Sequence, residues 1–302
     1  MKSTNYNKVK KVNVSTIKTG NANFDDFLSS GGGFVVGSAI FLTGTAGAGK
    51  TTLSVVLQKM LAKYKSSLYS REMSSASVIA QVNKRYPVKH NNAFIADGDD
   101  CKHIDDYIKE LDEIKPAVVI IDSLQVIAMV DCGDTPKEEF MFNVIQKLRN
   151  WADKNHAVLI VIGHVNKDGS FEGKNTIEHM FDAHLRMIYD EKADSRTLSW
   201  TKNRKGPSSK KLFYEFGDGV MNFYTPQQHE KIKNKKGFED FLTSAVVDFL
   251  KSLDKTAPNY KKFKTEISSL CDDIFAMNIS IIQKISKYIA SVNETAEKYN
   301  LK

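Results

Sequence analysis

The sequence predicts a doubly wound α/β fold: a mainly parallel sheet with an antiparallel extension, followed by a C-terminal helical appendage. Short apolar runs suited to strands alternate with longer amphipathic stretches suited to helices. Several of the runs are apolar throughout, as expected where helices cover both faces of a sheet. The first run, Ala39-Ile40-Phe41-Leu42, leads through a glycine-rich loop into a helix beginning near Thr52.

The elements follow in order. Residues 1–18 are polar and rich in Lys and Asn, which suits a flexible arm. Gly31-Gly32-Gly33 implies a tight turn or a close approach before the first strand. The second strand, Ser67 to Ser70, ends at Arg71-Glu72-Met73-Ser74, and Ser74 or Ser75 caps a helix over Ala76–Tyr86 that Pro87 helps to end. Ala93 to Ala96 is a third strand. The following helix, about His103 to Ile114, places Ile104, Tyr107, Ile108 and Leu111 on one face. Ala117 to Asp122 is a buried strand ending in a carboxylate. A long helix from about Pro136 to Asn155 then leads to the strand Ala157–Gly163. After His164 the polar stretch Val165 to Lys174 suits a mobile loop. Ala183–Tyr189 and Thr197–Thr201 alternate as an antiparallel hairpin, and two short strands, Lys211–Phe216 and Val220–Tyr224, complete the sheet.

These boundaries give a core over residues 19–228, a basic linker over 229–237 and a helical appendage over 238–302. In the appendage, Phe238, Phe241, Leu242, Ala245, Val246, Phe249, Leu250 and Leu253 recur at helical spacing. A second stripe, Phe263, Ile267, Leu270, Ile274, Met277 and Ile281, fits packing against the first or a coiled-coil seam, and the pair offers a surface for a protein partner.

Composition narrows the functional classes. With 302 residues and 41% hydrophobic content the chain can bury one substantial core and a small extra unit. A net charge of +7 is compatible with an anionic partner without demonstrating one. Cys101, Cys132 and Cys271 have no C-x-x-C spacing, so neither a disulfide framework nor a zinc site is indicated. No apolar leader or membrane span is legible, and a cytoplasmic protein, of a bacterial or virus-infected cell, is the expectation.

The chemistry centres on Gly44-Thr45-Ala46-Gly47-Ala48-Gly49-Lys50-Thr51, which fits G-x-x-x-x-G-K-[ST]. Such a loop turns backbone N–H groups and a helix N-terminus, here including Thr52, onto a triphosphate. Lys50 would reach the β- and γ-phosphates, and Thr51 would hold Mg²⁺, with ATP as the expected nucleotide. Asp122 stands at the carboxyl end of a strand, where open α/β sheets bind ligands, and suits the second carboxylate of the metal site. Glu72 and His164 end other strands. Position alone leaves them open between a water-orienting and phosphate-sensing pair and ordinary turn residues.

The motifs taken together are more specific. The glycine run and phosphate loop, Ser70-Arg71-Glu72-Met73-Ser74, Ile121-Asp122-Ser123-Leu124-Gln125, Gly163-His164-Val165-Asn166-Lys167 with Glu178-His179-Met180, and Lys202-Asn203-Arg204-Lys205-Gly206 occur in the order seen in RecA-fold ATPases. The set resembles RadA (Sms) DNA-repair ATPases over roughly residues 15–225, with Lys205 in place of the aromatic residue of K-N-R-F-G. Ser-Arg-Glu-Met-Ser and Lys-Asn-Arg-Lys-Gly-Pro are also similar to motifs of DnaB-type helicases.

The resemblance implies a RecA-like core in which Glu72 is the catalytic carboxylate and His164 the γ-phosphate sensor. Lys202 and Arg204 would enter a neighbouring subunit's ATP site in a hexameric ring or a filament. It also implies contact with single-stranded or branched DNA through a loop matching Val165–Lys174, with Lys167, Phe171 and Lys174 as candidates, and through Val130–Lys137, with Lys137 as candidate. No match to the zinc module and protease-like domain of RadA proteins, or to the N-terminal helical domain of DnaB helicases, is present. The expected function is a DNA-remodelling ATPase in recombination or replication. A KaiC-like ATP-controlled switch or scaffold and a RecA-like strand-exchange filament are the alternatives.

Overall fold

A computed structural model describes residues 15–164, 175–217 and 219–234, with residues 291, 294, 295 and 298. The candidates Lys167, Phe171 and Lys174, and the apolar stripes beyond residue 238, lie outside the described residues. The chain divides into two compact units, residues 1–226 and 227–302.

In the first unit, β1 (Thr16–Ile17) pairs antiparallel with β2 (Phe34–Val35), enclosing α1 (Ala22–Leu28). Residues 16 and 17, expected within the N-terminal arm, are therefore sheet. Asn21 caps α1 by accepting from the N–H of Phe24. Gly33 has a φ of +96°, and a Cβ there would collide with the carbonyl of Ile17, so the glycine run serves both a turn and a close approach.

The main sheet begins with β3 (Ala39–Gly44), α2 (Lys50–Met60) and β4 (Ser66–Ser70). Ser74 caps α3 (Ser75–Val78) through the N–H of Ser77, and the helix continues as a wider π-turn over Ile79–Asn83. Next come β5 (Ala93–Ala96), α4 (Ile104–Ile114) and β6 (Val118–Asp122). They are followed by α5 (Leu124–Asp131), α6 (Lys137–Asn155) and β7 (Val158–Ile162). The described part of the unit ends with α7 (Asn175–His179), β8 (Ala183–Asp190), β9 (Ser195–Asn203), β10 (Lys211–Phe216) and β11 (Met221–Tyr224).

Among the described residues the sheet has nine strands, in the order β11-β10-β9-β8-β3-β7-β6-β4-β5. From β8 to β5 neighbours are parallel, and β8 to β11 form the antiparallel extension. Alternation along each strand divides the core between the two faces. Ile40 and Leu42 of β3, with Val118 and Ile120 of β6, join Leu53, Val56 and Leu57 of α2 on one face. Phe41, Val119 and Ile121 join Tyr107 and Leu111 of α4, Ile127 of α5, and Ile145 and Leu148 of α6 on the other. The doubly wound expectation is met.

Two details differ from expectation. Val130 and Asp131, read as loop, close α5, an almost wholly apolar helix of eight residues whose composition hides its period. In the second unit residues 227–234 are helical, so the described part of the expected basic linker, residues 229–234, is helix.

Candidate active site

The site lies at the carboxyl ends of β3, β4, β6 and β7. Between β3 and α2 the phosphate loop turns at Gly49, with a φ of +91°, and a Cβ there would strike the ring of Phe216. No acidic residue stands in the first turn of α2, so its partial positive charge is left for an anion. The loop is held from the antiparallel side of the sheet. Thr45 N–H donates to Met187 O at 3.1 Å, Tyr189 N–H donates to Thr45 Oγ1 at 3.0 Å, and Tyr214 O–H donates to Ala48 O at 2.6 Å. Its shape is thus fixed by the fold.

Lys50 Nζ donates to the carbonyls of Gly44 at 3.0 Å and Thr45 at 3.3 Å. Burial lowers its pKa, against the opposing pull of Asp122 and Glu72. Thr51 Oγ1 donates to Asp122 Oδ2 at 2.7 Å. The other oxygen, Asp122 Oδ1, is buried with no hydrogen-bond partner, on a residue only 1% exposed. Desolvation raises the Asp122 carboxyl, the Thr51 hydrogen bond opposes this, and Glu72 adds to the rise. A hydroxyl and an orphaned buried carboxylate oxygen at one point are a donor set suited to a hard divalent cation such as Mg²⁺.

Sheet order assembles the remaining groups. Because β6 lies between β4 and β7, Glu72, Asp122 and His164 follow three adjacent strands. Glu72 Oε2 is 3.3 Å from His164 Nε2, which also lies 3.1 Å from Ser123 Oγ. Both side chains are partly exposed and border, with Lys50 and Thr51, a cavity of about 600 Å³. Its lining also includes Arg85, Tyr86 and Phe216, the last against Gly49 of the phosphate loop. The cavity can take a triphosphate along its polar side and a flat apolar group against its aromatic side. Sequence reasoning gave these wall residues no role, and it quoted Ser123 and Gln125 only as parts of a motif.

Lys202 and Arg204 are not brought to this cavity. Residue 202 pairs with His184, and Arg204 N–H donates to Asp182 O at 3.0 Å, level with Ala39 at the amino end of β3. The loop begins after Gly44, five residues along β3, or roughly 17 Å at strand rise. Lys202 Nζ donates to Phe181 O at 2.7 Å, and its pKa is lowered by burial and by Arg204, while Arg204 is exposed. Lys137 is exposed at the start of α6 and shares that turn with Glu138 and Glu139, so its surroundings are not strongly basic.

Comparison with known proteins places the chain's domain family and fold. The model of the AAA domain family matches residues 40–191. The DNA repair protein RadA of Haemophilus influenzae is 30% identical over 177 residues, covering 58% of this chain and 38% of that protein. RadA of Escherichia coli is 32% identical over 189 residues, covering 62% and 40%, and RadA of Chlamydia muridarum is 28% identical over 221, covering 72% and 46%. The chain therefore spans less than half the length of these relatives. Among solved structures, a KaiC-like protein from Pyrococcus horikoshii superposes with a TM-score of 0.57 at 21% identity, over 70% of this chain and all of the other. That likeness shows the shared RecA-like fold.

Proposed function

The chain belongs to the AAA-domain family, and from that premise we propose that it is an oligomeric, Mg²⁺-dependent ATPase that binds single-stranded DNA and remodels recombination or replication intermediates. The observation that carries the hydrolytic part is the line Glu72, Asp122, His164 across three neighbouring strands, beside Lys50 and Thr51. Glu72 orients and deprotonates a water aimed at the γ-phosphate. His164, 3.3 Å away, senses that phosphate from the root of the segment that follows. Lys50 exchanges its carbonyl partners for phosphate oxygens, a change favoured by its partial desolvation. Mg²⁺, held by Thr51 and Asp122, would neutralise phosphate charge.

Assembly is supported by the placement of Arg204. An exposed guanidinium at the amino edge of the parallel strands has no path to its own chain's phosphate loop, whereas a neighbour's loop can meet it. DNA binding is supported by the net charge of +7 and by the relatives' description as DNA repair proteins. Lys167, Phe171 and Lys174, in the segment after His164, are the proposed contacts. Among the described residues no helix is long and apolar enough to cross a membrane, and a cytoplasmic place of action belongs to the same proposal.

The test is phosphate release with and without single-stranded DNA, at two salt concentrations. Turnover that DNA stimulates, with salt-sensitive binding, is the expected result. DNA-independent turnover without binding would replace the motor with an ATP-controlled scaffold.

A further inference from the structure

Helix α5 is tied to both groups that face the proposed water. At its start, Ser123 Oγ lies 3.1 Å from the His164 ring. Two residues on, the Gln125 side chain pairs with the His164 backbone in both directions: His164 N–H donates to Oε1 at 3.1 Å, and Nε2 donates to His164 O at 3.2 Å. Strand β7 ends at Ile162, so this amide continues the ladder beyond the sheet and fixes the backbone that aims the ring.

At the other end of the helix, Asp131 Oδ1 accepts from Arg71 Nη2 at 2.9 Å, with only 9% and 3% of the two side chains exposed. Arg71 immediately precedes Glu72, and the N–H groups of both residues donate to Asp122 O, at 2.6 and 3.3 Å. Arg71 Nε and Asp131 Oδ2 remain buried without partners. A buried ion pair with one bond and two unmet atoms is a poor source of stability, but it specifies geometry.

We propose that α5 is the common mount that fixes Glu72 and His164 relative to each other, with Gln125 and the Arg71–Asp131 pair as its positioning residues. This rests on the roles given above to Glu72 and His164. The two ties act in series through the helix, alongside the direct Glu72–His164 contact and the N–H bonds to Asp122 O, so the helix's share in placing the two groups needs both. Once either is cut, cutting the other changes little.

The test is steady-state ATP turnover by the full chain with Mg²⁺, reading kcat and KM separately. Gln125→Glu keeps the acceptor for His164 N–H and removes the donor to His164 O. The double substitution Arg71→Met with Asp131→Leu removes the ion pair without stranding a charge. Each is expected to lower kcat about ten- to a hundredfold through misplacement of reacting groups, with KM for ATP unchanged. The combined variant should fall no further than the worse of the two. Urea midpoints establish that each variant is folded. Should the uncharged pair not fold, Arg71→Lys, which keeps the charge and loses the fork, takes its place. Normal kcat in Gln125→Glu, or losses that multiply in the combined variant, overturns the common mount. If wild type turns over and Glu72→Gln does not, that failure leaves the ATPase reading standing. If wild type itself releases no phosphate, the reading falls and the mount with it.

Discussion

The two ends of the parallel strands are built differently. At the carboxyl end, Glu72 and His164 are partly exposed, Asp122 has an unmet oxygen, and Lys50 rests on two carbonyls it can exchange. At the amino end the polar groups are largely spent on one another. Asp182 accepts from Ala39 N–H at 2.9 Å and faces Arg149 at 3.6 Å, and Lys202 is held by Phe181 O, while further along the strands His184, level with Phe41, is bonded to Thr43. Two histidines mark a related contrast, between the open end and the strand interior. His164 lies 34% exposed beside a carboxylate, while burial and the charges of Arg186 and Lys202 push His184 down to about 4. Among the described residues, one end has capacity left for a ligand, while at the other most polar groups are paired and Arg204 is exposed.

The strongest way to break this contrast is to show that the amino end takes part in turnover. Arg204→Ala is expected to lower ATP hydrolysis about a thousandfold, as loss of an arginine finger does. Part of the activity should return on mixing with Glu72→Gln chains, which carry an intact Arg204. No recovery across a range of mixing ratios would return Arg204 to the solvated surface. Glu72→Gln alone should lose about a hundredfold to a thousandfold in kcat with nucleotide affinity retained, measured by phosphate release and equilibrium binding.

The buried strand interior between the two ends should show itself in stability. His184 is buried neutral, so the unfolded chain binds its proton at a higher pH than the folded one does. Its contribution is fully present above about pH 6.5, declines as pH falls, and is gone below about 4. The loss is about 3 kcal/mol across that window, and urea melts of His184→Gln should lack it. The smallest effect is expected from Thr43→Val, which removes the 2.7 Å bond to His184 Nε2. It should cost about 1 kcal/mol at pH 7, read from urea melts.

What the sequence disclosed follows from the range of the forces involved. The phosphate loop, Asp122 and the alternating strands are local patterns, and each stands where its own neighbours place it. Helix α1 had a legible cap in Asn21, yet its seven residues are too few for periodicity to stand out. Helix α5 hides for the opposite reason, since Leu124 to Met129 is nearly all apolar and shows no polar face. The meeting of Glu72 with His164 was legible only through the family resemblance, because it depends on β6 lying between β4 and β7, a choice made by packing on both faces. The Arg71–Asp131 pair and the Phe216 wall are likewise products of tertiary placement.

The turn between β8 and β9 reverses the chain at Asp190 to Ser195, and with it the end of the sheet at which later residues emerge. Arg204 is delivered to the far edge for that reason alone. On the proposed reading this reversal makes turnover a matter of mass action. Specific activity per chain should rise with protein concentration until subunits are in contact and then level off, at a concentration set by the strength of that contact.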